Sequence, residues 1–122
     1  MVTYAQAEAD AGYTVMMIDG SNSARHWLVG NVPGSMLQKG FVNENTTAGV
    51  TILQPYHGPH PPPPTPDDPC HIYGQFVFKQ PEKSIKFAPM DPSQRHNWDY
   101  IAFIKQYGLG EKLASNKLHC SG

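Results

Sequence analysis

"HIYGQFVFK" (71–79) is the stretch of sequence from which the fold is predicted. Its aromatic and β-branched residues are typical of a β-strand, and Gln80-Pro81 marks a turn directly after it. Because side chains alternate along a strand, every second residue shares a face. One face is apolar and is predicted to line a core, and the other is polar at its beginning. The first holds Ile72, Gly74, Phe76 and Phe78, and the second holds His71, Tyr73, Gln75, Val77 and Lys79.

Two further strands are predicted on the N-terminal side of this one. "YTVMMID" (13–19) reads as a buried strand that ends at Asp19, and "HWLVGNV" (26–32) reads as the next. Glycine, serine and asparagine at 20–25 favour a turn between them. Shorter strands are predicted at 50–53, 84–87 and 116–120, and a polar surface loop at 35–49.

A single helix is predicted within 97–107. Asn97 is the predicted N-cap, Asp99 suits the positive end of the helix dipole, and Gly108 stands where a C′ glycine is expected. Several strands and one late helix predict a mostly-β domain and favour a β-sandwich over an α/β sheet. Apolar residues recur at helical spacing and predict one apolar face: Tyr100, Phe103, Ile104 and Tyr107.

Length and composition predict one globular domain over residues 1–122. Hydrophobic residues make up 39% and charged residues 16%, which is typical of a folded rather than a disordered chain. The formal net charge is −1 and no basic cluster is present, so the sequence argues against binding of nucleic acid. No apolar run approaches the roughly 20 residues of a membrane-spanning helix, so no membrane span is predicted.

Four polar residues stand at the ends of the predicted strands and are candidates for one site. If the strand ends meet at one rim, Asp19, His26, His71 and Tyr73 line a small cavity. Imidazole and phenol groups donate hydrogen bonds, and a carboxylate fixes an imidazole tautomer, so the cluster suits a small anion or a phosphoryl headgroup. Taken singly, each residue also has a structural interpretation: a partly buried histidine, a core tyrosine with a wet tip, or a turn-forming aspartate.

Eight of the 12 prolines lie between Pro55 and Pro69, and several interpretations of this segment are open. The tetraproline 61–64 is similar to ligands of SH3 or WW domains. Neighbouring residues on a strand point apart, which disfavours both a Cys70–His71 catalytic pair and a zinc site. No nucleophile elbow surrounds Ser21 or Ser23. The residues of this disfavoured zinc site are His57, His60, Cys70 and His71.

Five segments, in order, resemble the phosphatidylethanolamine-binding protein family, which includes Raf-kinase-inhibitor-type proteins. In the family these segments are the strand that leads into an Asp-Pro-Asp-x-Pro motif, a His-Trp strand, a Gly-Pro-rich rim, a His-x-Tyr strand and a late helical segment. The matching segments are "YTVMMID", "HWLVGNVPG", "YHGPHPP", "HIYGQFVFKQ" and "RHNWDYIAFIKQYGLGEKLASN".

The resemblance implies a β-sandwich with a small anion pocket at one end, and it implies no cofactor and no metal. The family's proline-rich rim implies that Gly58-Pro59-x-Pro61-Pro62 forms the edge of that pocket. The extra segment 63–70 has no counterpart in the family pattern. The ligand-binding residues carried over by the resemblance are Asp19, Pro59, His26, His71 and Tyr73.

The chain departs from the family pattern in ways that bear on the pocket. Gly20-Ser21-Asn22-Ser23 replaces most of the Asp-Pro-Asp-x-Pro motif, and Arg25 directly precedes His26. Ile72 stands where the family has arginine between histidine and tyrosine. The expected N-terminal strands are reduced, and the sequence stops before the family's closing C-terminal helix. We therefore expect a shortened member of the family, of which fungal-type members are one kind.

Two cysteines and one sequon bear on the compartment. Cys70 and Cys120 are either a disulfide or two free thiols, and a bridge is the hypothesis if the two predicted strand ends approach each other. Asn45 fits the N-glycosylation sequon. The family default is cytoplasmic, whereas a disulfide together with glycosylation of Asn45 would indicate secretion.

The resemblance and the candidate pocket leave three functional hypotheses. The favoured one is a non-enzymatic protein that binds a small anionic or phosphoryl ligand and acts as an inhibitor or regulator. The second, by analogy with fungal relatives linked to natural-product biosynthesis, is an enzyme that uses His26, His71 and Asp19 in acid–base chemistry. The third is a protease or kinase inhibitor whose protein target contacts the proline segment at 57–66.

Overall fold

A computed structural model of the protein describes residues 3–19, 23–40, 50–55, 72–91, 93–110 and 112–119. Its strands form one five-stranded sheet with the order β3-β2-β1-β4-β5, in which all neighbouring strands run antiparallel. The prediction of a mostly-β fold is confirmed. The strands are β1 (Gly12–Asp19), β2 (Arg25–Pro33), β3 (Thr51–Gln54), β4 (Ile72–Lys79) and β5 (Ala114–His119), and the helices are α1 (Gly34–Lys39) and α2 (Tyr100–Gln106).

The central strand β1 is buried along all of its 8 residues, because both faces of the sheet are covered. Segment 3–11 and α1 cover the first face, where Met17 and Leu37 belong to the same apolar cluster. Residues from 81–91 and 93–110 cover the second face, where Met16 and Phe103 belong to the same apolar cluster. A strand that is buried on both faces favours apolar side chains on both, which explains why "YTVMMI" (13–18) is apolar apart from Thr14 and does not alternate.

Two of the predicted elements differ from the structure. The predicted loop at 35–49 begins with helix α1, whose 6 residues are too few to produce a helical period in the sequence. The predicted strand at 84–87 is wrong, since these residues belong to no strand. The main chain of Ile85 is instead hydrogen-bonded to the side chain of Asn31, which accepts from its N–H and donates to its carbonyl. A side chain therefore takes the place of a strand neighbour.

Helix α2 confirms the predicted apolar face and the predicted glycine stop. Gly108 has φ 64°, its N–H donates to the carbonyl of Lys105, and the N–H of Leu109 donates to that of Ile104. These two bonds close the helix as a Schellman motif. The predicted N-cap is wrong: Asp99, not Asn97, accepts a hydrogen bond from the N–H of Ala102 at 3.0 Å. Asn97 has φ 54° and lies outside the helix.

Replacing Asp99 by alanine should lower the free energy of unfolding by about 1 kcal/mol, because the N–H of Ala102 loses its acceptor. Urea denaturation would measure the change. Asp99→Asn is the matched control, since asparagine caps about as well as aspartate, and it should stay within about 0.5 kcal/mol of the original. Equal losses in both variants would show that the capping oxygen contributes nothing.

Candidate functional site

The described residues bring three of the predicted site residues to one end of the sheet. Asp19 is the last residue of β1, and its Cα partner in β4 is Tyr73, the second residue of that strand. His26 is the second residue of β2, which enters the sheet beside the same end of β1. Asp19 is 2% exposed and His26 is 6% exposed. A buried carboxylate and a buried imidazole thus belong to neighbouring strand ends.

A β-bulge places His26 outside the regular pairing of β1 with β2. Met17 pairs with Trp27 and the next residue, Ile18, pairs with Arg25, so His26 is the extra residue of β2. Bulges bend the strand and redirect a side chain, and they are frequent beside binding sites. The orientation of His26 therefore depends on what keeps this bulge in place.

The turn before the bulge is closed by its own main chain. The N–H of Asp19 donates to the carbonyl of Ala24 at 2.9 Å, and the N–H of Ser23 donates to the carbonyl of Asp19 at 2.8 Å. Ser23 has φ 55°, in the left-handed region that short polar residues tolerate in turns. The end of β1 and the start of β2 are consequently fixed to each other close to His26.

Arg25 is a buried residue of this region, and the sequence marked only its position directly before His26. It is 2% exposed, and its side chain contacts the described residues 91 and 93–98, called segment 91–98 below. Nothing in the local sequence predicts that Arg25 is buried, because a charged residue at the start of a strand is ordinarily exposed. Its guanidinium lies 5.1 Å from the ring centroid of Trp98, and it donates from Nε to Gln54 Oε1 and from Nη2 to the carbonyls of Asp91 and Gln94.

Burial and neighbouring charges have opposing effects on the pKa of Arg25. Burial lowers the pKa of its guanidinium, the positive charge of Arg95 lowers it further, and the carboxylate of Asp91 opposes both effects. Hydrogen bonds from the Ser93 N–H and hydroxyl, at 2.9 and 2.7 Å, keep the pKa of Asp91 below its usual value. Because a guanidinium is not deprotonated in proteins, Arg25 remains a cation at neutral pH.

Several sequence predictions fall on residues outside the described ranges. The proposed pocket residues Pro59 and His71 are among them, and so is the whole segment 56–71. The disulfide between Cys70 and Cys120 and the sequon at Asn45 also lie outside and stay predictions. Within the helices that the structure describes, none is long and apolar enough to cross a membrane.

The sequence places the protein in a known family. A model of the family described as "Phosphatidylethanolamine-binding protein" matches residues 3–118. The chain belongs to the phosphatidylethanolamine-binding protein family, as its motifs suggested.

Two curated relatives are similar to this chain. Odorant-binding protein A5 of Drosophila melanogaster is 30% identical over 123 aligned residues, which cover 90% of this chain and 52% of the relative. Phomoidride biosynthesis cluster protein N of Talaromyces stipitatus is 37% identical over 67 residues, which cover 50% of this chain and 32% of the relative. The chain therefore spans about half, or less, of the length of these relatives.

Proposed function

We propose that the protein binds a small anion or a phosphoryl headgroup at the end of the sheet where β1, β2 and β4 meet. The observation that carries the proposal is the convergence of buried Asp19, buried His26 and the main chain of Tyr73 at that end. Family membership supports it, as does a relative that is named for odorant binding. In this proposal His71 and Pro59 complete the pocket.

The chemistry of these groups fits an anion. Imidazole N–H and phenol O–H groups are donors, and each donates more strongly to an anion than to a neutral acceptor. A carboxylate beside an imidazole accepts its second N–H and so fixes which nitrogen faces the ligand. Burial increases the strength of such hydrogen bonds, because the effective dielectric constant is low. Asp19 is thus assigned the orienting role, and His26, His71 and Tyr73 the donating role.

Titration with inorganic phosphate or phosphoethanolamine, followed by NMR of the histidine rings, tests the proposal. The ring signals of His26 and His71 should shift in a saturable manner. Replacing His26 by alanine should weaken phosphate binding at least about tenfold, which corresponds to loss of about 1.4 kcal/mol of interaction. Because His96 is exposed, His96→Ala is the matched control and should bind like the original protein.

The result that would contradict binding at this site is equally specific. If phosphate shifts neither His26 nor His71, it does not bind at this site. If it shifts His96 equally at constant ionic strength, it is held by general charge attraction alone. Comparison of phosphate with phosphoethanolamine separates the two ligand sources. Equal affinities indicate recognition of the phosphoryl group only, whereas tighter binding of phosphoethanolamine indicates contacts to the amine.

A second candidate function is acid–base catalysis at the same residues, favoured by the relative that is named for a biosynthesis cluster. His26 and His71 would transfer protons near neutral pH while Asp19 orients a ring. The gene neighbourhood discriminates between the two functions, since a cluster of biosynthetic genes around this one supports catalysis. Conversion of the cluster's intermediate that proceeds unchanged with His71→Ala would exclude this mechanism.

A further inference from the structure

We propose that Arg25 is a positioning residue, which keeps the β-bulge at His26 in place by tying β2 to segment 91–98. The inference rests on the proposed function, because it concerns how His26 is presented to the ligand. Arg25 lies directly before the extra residue of the bulge and pairs with Ile18 across the strand. Its own contacts are to protein groups, and it is assigned no contact with ligand.

The main chain of Arg25 is held from both sides. On one side its Cα partner is Ile18 of β1. On the other side its N–H donates to the carbonyl of Arg95 at 2.8 Å. The N–H of Trp98 also donates to the carbonyl of Ser23 at 3.1 Å. The first residue of β2 therefore has partners on two sides, directly before the bulge begins.

Arg25 and Asp19 lie on opposite faces of the sheet. Directly paired residues in antiparallel strands share a face, so Arg25 lies on the face of Ile18. Asp19 follows Ile18 in β1 and therefore takes the other face. Arg25 and the proposed anion pocket are thus separated by the sheet, and Arg25 can influence the pocket only through the strand that it shares with His26.

The three acceptors of Arg25 explain why an arginine is needed at this position. Nε donates to Gln54 Oε1 at 3.1 Å, while Nη2 donates to the carbonyls of Asp91 and Gln94 at 3.1 and 3.3 Å. Only a planar fork of fixed N–H groups reaches β3 and segment 91–98 together, whereas lysine offers a single ammonium group. The Trp98 ring adds a cation–π contact with the guanidinium.

Loss of this fork has a defined structural consequence. The bulge interrupts regular pairing and is retained only where its surroundings favour it over a regular ladder. A slip of one residue would remove the bulge, pair Ile18 with His26 and bring Arg25 opposite Asp19, so that Arg25 changes to the face of Asp19. His26, paired with Ile18, would then share the face of Ile18, which is opposite to that of Asp19, and the proposed pocket would lose a donor without any change to its own residues.

The test uses Arg25→Met and Arg25→Lys, with Leu37→Ala as a control that destabilises the protein elsewhere. Leu37 is buried in α1, which follows the opposite end of β2. At a temperature where all variants are folded, Arg25→Met should bind phosphate at least about tenfold more weakly, and Leu37→Ala should bind like the original protein. Arg25→Lys should fall between them, because it keeps the charge but not the fork.

NMR of the ligand-free protein gives a second readout that needs no ligand. The cross-strand contact of Ile18 with residue 25 defines the bulge, and in Arg25→Met it should be replaced by a contact of Ile18 with His26, while Met17 stays paired with Trp27. Unchanged contacts, or wild-type affinity in either Arg25 variant, would overturn the inference. If the original protein does not bind phosphate, the proposed function fails, and the cross-strand contacts alone then decide the positioning role.

Discussion

Replacing Gln80 by methionine should lower the free energy of unfolding by about 3–4 kcal/mol, because buried donors lose their acceptor. Gln80 Oε1 accepts from the Thr14 hydroxyl at 2.9 Å and from the Asn31 N–H at 2.8 Å. Its Nε2 donates to Asn31 Oδ1 at 3.0 Å and to the Glu82 carbonyl at 3.2 Å. Methionine has a similar length and keeps the packing, but it satisfies none of these groups.

Two further variants make the Gln80 experiment specific to hydrogen bonding. Gln106→Met changes an exposed glutamine in the same way and should stay within about 0.5 kcal/mol of the original. Gln80→Glu retains the two acceptor contacts but cannot donate to Asn31, so its loss should also be large. Chemical denaturation monitored by tryptophan fluorescence gives all three values. A loss below about 1 kcal/mol for Gln80→Met would mean that water satisfies these groups equally well.

Replacing Phe103 by alanine should cost about 3–5 kcal/mol, since it leaves a cavity between α2 and the sheet. Phe103 is 6% exposed and belongs to the apolar cluster on the second face of β1. Its ring centroid lies 6.0 Å from that of Phe87, 5.2 Å from that of Trp98 and 4.8 Å from that of Tyr107. Aromatic pairs at these distances add to the area term, so the loss should exceed that of an aliphatic side chain.

Ile101→Ala provides the matched control for Phe103, because Ile101 lies on the same helix and is 53% exposed. Its removal should change the free energy of unfolding by less than about 1 kcal/mol. Thermal unfolding followed by circular dichroism compares the two directly. Similar losses in both variants would show that α2 is not anchored through Phe103.

Prediction from the sequence succeeds where a local pattern determines the structure. β1, β2 and β4 follow from runs of apolar and β-branched residues, and the helix stop follows from Gly108. The grouping of Asp19, His26 and Tyr73 follows from a similar local rule, because each residue stands near the end of a strand. Their main-chain positions in the sheet agree with that rule, while the side chain of His71 stays a prediction.

The remaining features depend on tertiary contacts that no local pattern records. Asn97 and Asp99 are equally good caps by residue type, but Asn97 has φ 54°, outside the extended region that an N-cap usually adopts, and the helix begins later. Gln80 resembles a turn residue in sequence, yet it is buried because Thr14 and Asn31 surround it. Arg25 likewise acquires its role from segment 91–98, which lies more than sixty residues further along the chain.

The strand order of the sheet also determines the order in which the chain can assemble. β1 and β2 are neighbours in sequence, and such a hairpin forms in about 1–10 μs. β4 begins at Ile72, far beyond the end of β1 at Asp19, so closing the intervening loop delays its arrival and slows folding. Until β4 arrives, one apolar edge of β1 presents unpaired N–H and carbonyl groups to other chains. We therefore expect the yield of refolding to fall as protein concentration rises, although the native sheet leaves no such edge on β1.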